Sequence, residues 1–243
     1  MSNKKKGYLF NFLSVLMMAI GPLLSKFGLL HLTPSKAAVI NILTVIATSV
    51  LWGVITKRPV RFYVEKEVIM LALFNALGVI FLFISMDLLS PVQIGFLGRF
   101  YTVFAVTLSV FLLGEKMSRR ELAFIAVAIA GAFLFVDKGN NWGTALTGTI
   151  FAVLYTFFFA LTNVYIKKTL STARDSNSIL FTNNTVSFLF VLLYSAFIGD
   201  LFDGEYSFKG VSLIVLSAIM TGFLGTLLLY EALKYLRFSI ANV

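Results

Sequence analysis

Long runs of apolar residues separated by short polar loops are the dominant pattern along this chain. A helix needs about 20 apolar residues to cross the roughly 30 Å hydrocarbon core of a bilayer. The pattern therefore predicts an all-α, polytopic membrane protein with eight transmembrane helices. The predicted spans are residues 8–30, 37–56, 67–88, 91–113, 120–137, 145–166, 178–199 and 210–233.

The composition excludes most other classes of protein. The chain is 59% hydrophobic and 13% charged, whereas soluble domains are about 45–50% apolar and about 25% charged. It has no cysteine and a single histidine, His31. No cluster of acids, no serine with a histidine partner and no glycine-rich phosphate loop is apparent, so we expect neither an enzyme nor a bound metal or cofactor.

Basic residues concentrate at the N-terminus and in every second loop, as in Lys57, Arg58 and Arg61 or Lys167 and Lys168. By the positive-inside rule, the N-terminus is cytoplasmic and the protein lies in the cytoplasmic (inner) membrane. The net charge of +9 is explained by this placement, so we expect no nucleic-acid partner. A signal peptide is the alternative for the first segment, which is longer than the usual apolar run of about 7–15 residues.

The chain also resembles itself. Residues 19–26 (AIGPLLSK) correspond to residues 160–167 (ALTNVYIK), an offset of 167 − 26 = 141, and residues 85–96 correspond to residues 232–243, an offset of 243 − 96 = 147. A longer loop at Asp200–Lys209 is the expected source of the six-residue difference. A unit of five spans, repeated, forms an inverted pair, which is typical of transporters.

The repeat divides the chain into two predicted domains. Residues 1–140 hold spans one to five, and residues 141–243 hold spans six to eight of a second, truncated copy. On this interpretation the second copy lacks about 40 residues, or two helices.

Three stretches resemble the drug/metabolite transporter superfamily, in particular its ten-span EamA-type members. Ser90-Pro91 opens span four, LLGEKMSRRELAFIAVAIAGAFL covers residues 112–134, and YEALKYLRFSIANV covers residues 230–243. The resemblance implies a ten-helix architecture and transport of a small metabolite, and it implies that this chain lacks the last two helices of that architecture. The family often has a proline in the middle of span four, where this chain has residues 99–103 (RFYTV).

Arg99 is the sharpest candidate for binding chemistry. It follows Pro91 by eight residues, which places it about 12 Å into the bilayer at 1.5 Å per residue. A centred arginine costs at least about 2.5 kcal/mol on insertion scales, so its charge should face protein or water. It either contacts an anionic substrate group or pairs structurally, for example with Asp87.

Other polar or irregular positions could line a central cavity. Gly21-Pro22 interrupts hydrogen bonding in the first span, and either allows gating or only kinks the helix for packing. Asn75, Asn163 and Tyr155 lie on helices that the resemblance places beside the cavity. Asn41, Asn183 and Asn184 are interpreted as hydrogen bonds between helices.

We therefore predict a carrier that moves a small organic metabolite, such as an amino acid or related compound, outward by alternating access around a midplane cavity. Its partners are the lipid bilayer and the metabolite. Small residues at Gly95, Gly98, Ala126 and Ala130 indicate close helix packing, with a homodimer as the alternative. The competing hypothesis is a membrane scaffold or subunit, or an inactive truncated product, that transports nothing.

Overall fold

The structure is a computed structural model that describes residues 3–116, 142–170, 174–199 and 201–241, together with residues 122–123, 126–127 and 130. The described residues contain helices and loops and no strand, which confirms the prediction of an all-α fold. The helices are α1 Asn3–Gly28, α2 Pro34–Ile55, α3 Lys66–Leu88, α4 Pro91–Leu97, α5 Phe100–Leu113, α6 Trp142–Leu170, α7 Ser176–Ile198, α8 Phe208–Ser217, a π-helical segment Ala218–Gly225, α9 Thr226–Leu233 and α10 Phe238–Ala241.

Within the described residues, seven helical segments are long and apolar enough to cross a membrane. They correspond to seven of the eight predicted spans. Of the 18 residues of the remaining predicted span, 120–137, 13 lie outside the described residues. The first helix begins at Asn3, five residues before the predicted span, because its basic N-terminal turn continues the helix beyond the apolar run.

Two spans are less regular than the sequence suggests. Span four is broken at Gly98–Arg99, which separates α4 from α5. The last span, Phe208–Tyr235, contains the π-helical segment between α8 and α9. Short π-helical insertions are uncommon and often occur at functional sites.

Local sequence signals set several helix ends. Ser90 caps α4 by accepting from the backbone N–H of Gln93, and the Gln93 side chain accepts from Ser90 in return. Asp175 caps α7 by accepting from Ser178. Gly114 and Gly199 end their helices with φ of 66° and 83°, a left-handed conformation that favours glycine.

The spans pack in pairs that are distant in sequence. The first helix, α1, packs along the last span, α3 packs along α6, and α2 packs along α7. Helix α3 also contacts α7, and α2 also contacts the last span. Helices α1 and α3 are both in the N-terminal part of the chain, but each packs mainly against a helix from the C-terminal part.

The loop before the last span does not account for the six-residue difference between the two repeat offsets, so that expectation is wrong. The connection from α7 to α8 is no longer than the connection from α2 to α3. The last span has 28 residues, whereas α3, its counterpart in the proposed repeat, has 23. If the repeat is correct, the extra length lies inside the last span, which also holds the π-helical segment.

Candidate functional site

The apolar interior of the bundle is divided into two clusters. One contains residues near the end of α1 at Gly28, and we call it the outer core; the other lies toward the opposite face and is the inner core. Representative residues are Leu32, Ile42, Phe83, Leu97 and Val191 in the outer core, and Val45, Leu71, Ala105, Ile179 and Leu233 in the inner core. Along most spans a few residues separate the two clusters.

Polar side chains from five spans lie where the two cores meet and in the adjoining part of the inner core. We call this set the polar layer; it consists of Asn75, Tyr101, Asn163, Asn183, Ser187 and Tyr230. Three of its members, Asn183, Ser187 and Tyr230, are almost completely buried. Because a bilayer interior offers no bulk water to unpaired polar groups, such side chains must find partners within the protein or a water-filled cavity.

Hydrogen bonds join one half of the polar layer across α3, α7 and the last span. Asn75 donates through Nδ2 to Ser187 Oγ at 3.2 Å. The Ser187 hydroxyl lies 2.7 Å from the carbonyl oxygen of Ala72 and 3.4 Å from Asn183 Oδ1. Asn183 in turn hydrogen-bonds with Tyr230. Three spans are thus linked at mid-bundle by amides and hydroxyls.

The other half of the polar layer joins α5 to α6. Asn163 donates through Nδ2 to the Tyr101 hydroxyl at 2.6 Å. Both Tyr101 and Asn163 are only partly buried.

The predicted stripe of Tyr155, Phe159 and Asn163 lies along one face of α6, and all three contact neighbouring spans. The Tyr155 ring meets Phe159 edge to face at a centroid distance of 5.9 Å. A Cβ on Gly98 would lie 3.1 Å from the Tyr155 hydroxyl, and a Cβ on Gly78 would lie 2.5 Å from the Phe159 ring. The two glycines therefore let α4 and α3 approach these aromatic side chains closely.

Arg99 lies apart from this network, at the break between α4 and α5. Its side chain is exposed. Within the part of the chain that the structure describes it forms no ion pair, either with Asp87, its expected partner, or with another acidic side chain. Gly98 lies beside Tyr155 of α6, and Tyr101 is hydrogen-bonded to Asn163 of α6. Arg99 therefore lies between two residues that contact α6.

Gly21 and Pro22 face the last span. Helix α1 continues through Pro22 without a break. Ser217 donates to the carbonyl of Gly21 at 2.7 Å, and Thr221 donates to that of Met17 at 3.2 Å. A Cβ on Gly21 would lie only 1.6 Å from Thr221 Oγ1. The proline-containing turn therefore packs directly against the π-helical segment and contacts no member of the polar layer through these bonds.

The sequence analysis missed Tyr101, Ser187 and Tyr230, and it interpreted Asn183 only as a link between helices. A tyrosine or serine in an apolar span is ordinarily part of the packing, so sequence alone gave no reason to single these out. The position of Tyr101, two residues after Arg99, was the available signal. No group of three or more acidic or histidine side chains that could hold a metal occurs among the described residues.

The chain is similar to known transporters in sequence and to a solved structure in fold. It is 35% identical over 106 residues to the GDP-fucose transporter of Caenorhabditis elegans and 36% identical over 102 residues to GDP-fucose transporter 1 of Mus musculus. These matches take in 43% and 41% of this chain but only 28% of each transporter's length.

The fold matches that of one crystal structure over 98% of this chain and 82% of the other chain, with a TM-score of 0.69 and 16% sequence identity. At that identity the likeness shows the fold alone. Residues 5–137, more than half of the chain, match the EamA-like transporter family. Together with the seven helices of the described residues that are long and apolar enough to span a membrane, this match makes the protein a multi-pass membrane protein that belongs to the EamA-like transporter family, within the drug/metabolite transporter superfamily.

Proposed function

We propose that this protein carries a small organic molecule across a membrane by alternating access, with the polar layer as the central binding region. The observation that carries the proposal is the position of that layer, between two apolar cores and contributed by five spans. Buried polar side chains are costly in a membrane and commonly mark substrate pathways. Arg99, Asn75, Asn163 and Tyr155 are the proposed contacts to substrate, and Gly21-Pro22 is the proposed gating element.

The packing supports two inverted halves, residues 1–140 and 141–243. If residues in α1 and α6 correspond at an offset of 141, and residues in α3 and the last span at an offset of 147, then a contact in one half has a partner in the other. Close approaches to glycine follow this rule. Gly7 meets Leu236 and Gly148 meets Leu89; likewise Gly225 meets Met18 and Gly78 meets Phe159.

The packing of whole helices follows the same correspondence between the two halves. The pairing of α1 with the last span corresponds to the pairing of α6 with α3, and α2 with α7 corresponds to itself. Five spans in the first half, an odd number, bring the second half into the membrane from the opposite side, so the two halves can rock about a site at their interface.

The substrate class that we propose is an organic anion, with sugar nucleotides ahead of amino acids. The relatives are named as GDP-fucose transporters, and an arginine recognises phosphate with two parallel hydrogen bonds. The amide groups of Asn75 and Asn163 suit sugar or base hydroxyl and carbonyl groups. We further propose outward transport across the cytoplasmic membrane, with the N-terminus cytoplasmic and the subunit either alone or as a homodimer.

Counterflow in reconstituted vesicles tests this proposal. Vesicles are preloaded with one unlabelled candidate, either GDP-fucose, another sugar nucleotide or an amino acid, and uptake of the same labelled compound is measured. We expect accumulation above that of protein-free vesicles for at least one organic anion. Absence of counterflow for every compound, with the protein folded and inserted, would favour the competing hypothesis of a membrane scaffold.

A further inference from the structure

Two lysines occupy corresponding places in the proposed repeat. Lys26 lies in the last turn of α1, and Lys167 lies in the last turn of α6. The positions are separated by the same offset of 141 residues that relates the two helices. Both side chains are partly buried. Most other basic residues are in loops or at the ends of helices on one face, where topology explains them.

Each lysine binds the end of another helix. The Lys26 ammonium donates to the carbonyl oxygens of Met86 and Asp87, the second at 3.2 Å, in the last turn of α3. The Lys167 ammonium donates to the carbonyl oxygens of Leu233 and Leu236, the second at 2.8 Å, at the end of α9. Carbonyls in the last turn of a helix have no partner within it and carry partial negative charge, so a cation is favoured there.

The two lysines connect helices that otherwise belong to different pairs. Helix α1 packs along the last span, and α3 packs along α6. Lys26 therefore joins the α1 pair to the α3 pair at the outer end of the bundle. Lys167 joins the same two pairs at the inner end, because α6 and the last span both run opposite to α1 and α3 and so end on the other face.

We propose that Lys26 is the outer latch and Lys167 the inner latch of the transport pathway. This inference rests on the proposed transport function. When the two helix pairs separate on the outer side, Lys26 releases the end of α3 while Lys167 holds the end of α9, and the reverse occurs on the inner side. Since both latches are closed in this structure, it corresponds to an occluded state.

The chain has no cysteine, so single introduced cysteines report on each latch. Ser85 and Ala232 are both fully buried, and each directly precedes a residue whose carbonyl accepts from a latch lysine. They correspond in the proposed repeat. The experiment measures the rate at which a membrane-impermeant maleimide, applied from one side at a time, labels S85C or A232C in oriented vesicles of the otherwise complete chain.

In K26M we expect S85C to be labelled from the outer side at least about five times faster than in the parent, with A232C unchanged. In K167M we expect A232C to be labelled faster from the inner side by a similar factor, with S85C unchanged. K26R and K167R, which retain a cation that can reach the carbonyls, should label like the parent. Control variants are K6M and K168M, which change lysines of the same two helices outside the latches.

Labelling that rises at both positions in either variant would mean general loosening and would overturn the proposal, as would unchanged labelling at both. If K26M or K167M fails to insert, K26Q and K167Q keep a donor without the charge and should give the same side-specific increase. Counterflow is measured on the same preparations. If labelling is side-specific but no counterflow is measured, the transport function is rejected and the lysine latches are retained. If counterflow is measured but labelling is the same in the lysine variants and the parent, only the latches are rejected.

Discussion

The polar side chains in the middle of the bundle form hydrogen bonds with one another between helices. Asn163 reaches Tyr101, and Asn75 reaches Ser187. Hydrogen bonds of this kind between membrane helices contribute on average about 0.6 kcal/mol, and at most about 1.7 kcal/mol. Their contribution to stability is therefore small, and their loss should affect binding more than folding.

Replacing Tyr101 by phenylalanine removes one hydroxyl and leaves Asn163 without its partner. We expect a loss of about 0.6 kcal/mol in unfolding free energy and a rise in the KM for transport. Thermal melting in detergent and counterflow at several substrate concentrations measure the two effects. The control is Tyr235→Phe, because Tyr235 is 39% exposed and lies outside the polar layer. An unchanged KM in Tyr101→Phe would remove Tyr101 from the site.

Replacing Arg99 by alanine should lower transport of an organic anion more than about tenfold, since a hydrogen bond to a charged group is worth about 1.5–3 kcal/mol and about 1.4 kcal/mol corresponds to a factor of ten. Arg99→Lys should retain part of the activity. The matched control is Arg58→Ala, an exposed arginine in the loop between α2 and α3. Equal flux in Arg99→Ala and Arg58→Ala would show that Arg99 does not contact substrate.

Close approach between helices depends on a few glycines at their contacts. Gly21 lies against Thr221 of the π-helical segment, and Gly78 lies against Phe159. Small residues allow membrane helices to approach until dispersion contacts and hydroxyl-to-carbonyl hydrogen bonds form between them. Ser14 provides one such bond, donating to the carbonyl of Gly225 at 2.7 Å. The contact of α1 with the last span is therefore tight along its length.

Gly21→Ala should destabilise the protein by about 1–3 kcal/mol, the usual cost of overpacking. Its new methyl group would lie 1.6 Å from Thr221 Oγ1 and 2.6 Å from Thr221 Cβ. Adding Thr221→Gly removes both atoms and should restore most of the melting temperature. Gly95→Ala is the control, because a Cβ there meets nothing within 4 Å. A Gly21→Ala protein that melts like Gly95→Ala would contradict this packing.

The two faces of the molecule differ in charge, and by the positive-inside rule we expect this difference to set its orientation. The loop between α2 and α3 carries Lys57, Arg58 and Arg61, whereas the loop before the last span carries Asp203 and Glu205. The backbone of each loop is tied to the bundle. Arg61 donates through its backbone N–H to Ser178 Oγ at 3.1 Å, and Lys36 binds the carbonyl of Asp203.

In intact cells, a membrane-impermeant maleimide should label Phe202→Cys and leave Val64→Cys unlabelled. Both positions are well exposed, at 89% and 71%, so accessibility differs only through the side of the membrane. The positive-inside rule places Val64 in the cytoplasm and Phe202 outside. Permeabilised cells should label both variants equally. Labelling of Val64→Cys in intact cells would reverse the orientation.

Apolar runs were sufficient to predict an all-α membrane protein and the positions of seven spans, and the resemblance of three short stretches was sufficient to predict the family. These signals are local, because the length and composition of a single segment decide whether it can cross a bilayer. The same local signals could not show the break at Gly98–Arg99 or the π-helical segment, since both depend on the helices packed beside them.

Asn75, Asn163 and Tyr155 could be picked out from polarity and from the family resemblance, but their partners could not. Tyr101 is 62 residues from its partner Asn163, and Ser187 is 112 residues from its partner Asn75. Pairing over such distances leaves no mark in a single sequence. The two lysine contacts are of the same kind. The sequence determines which residue is present and which helix it belongs to. The carbonyl that its side chain contacts is determined by the packing of spans that are far apart along the chain.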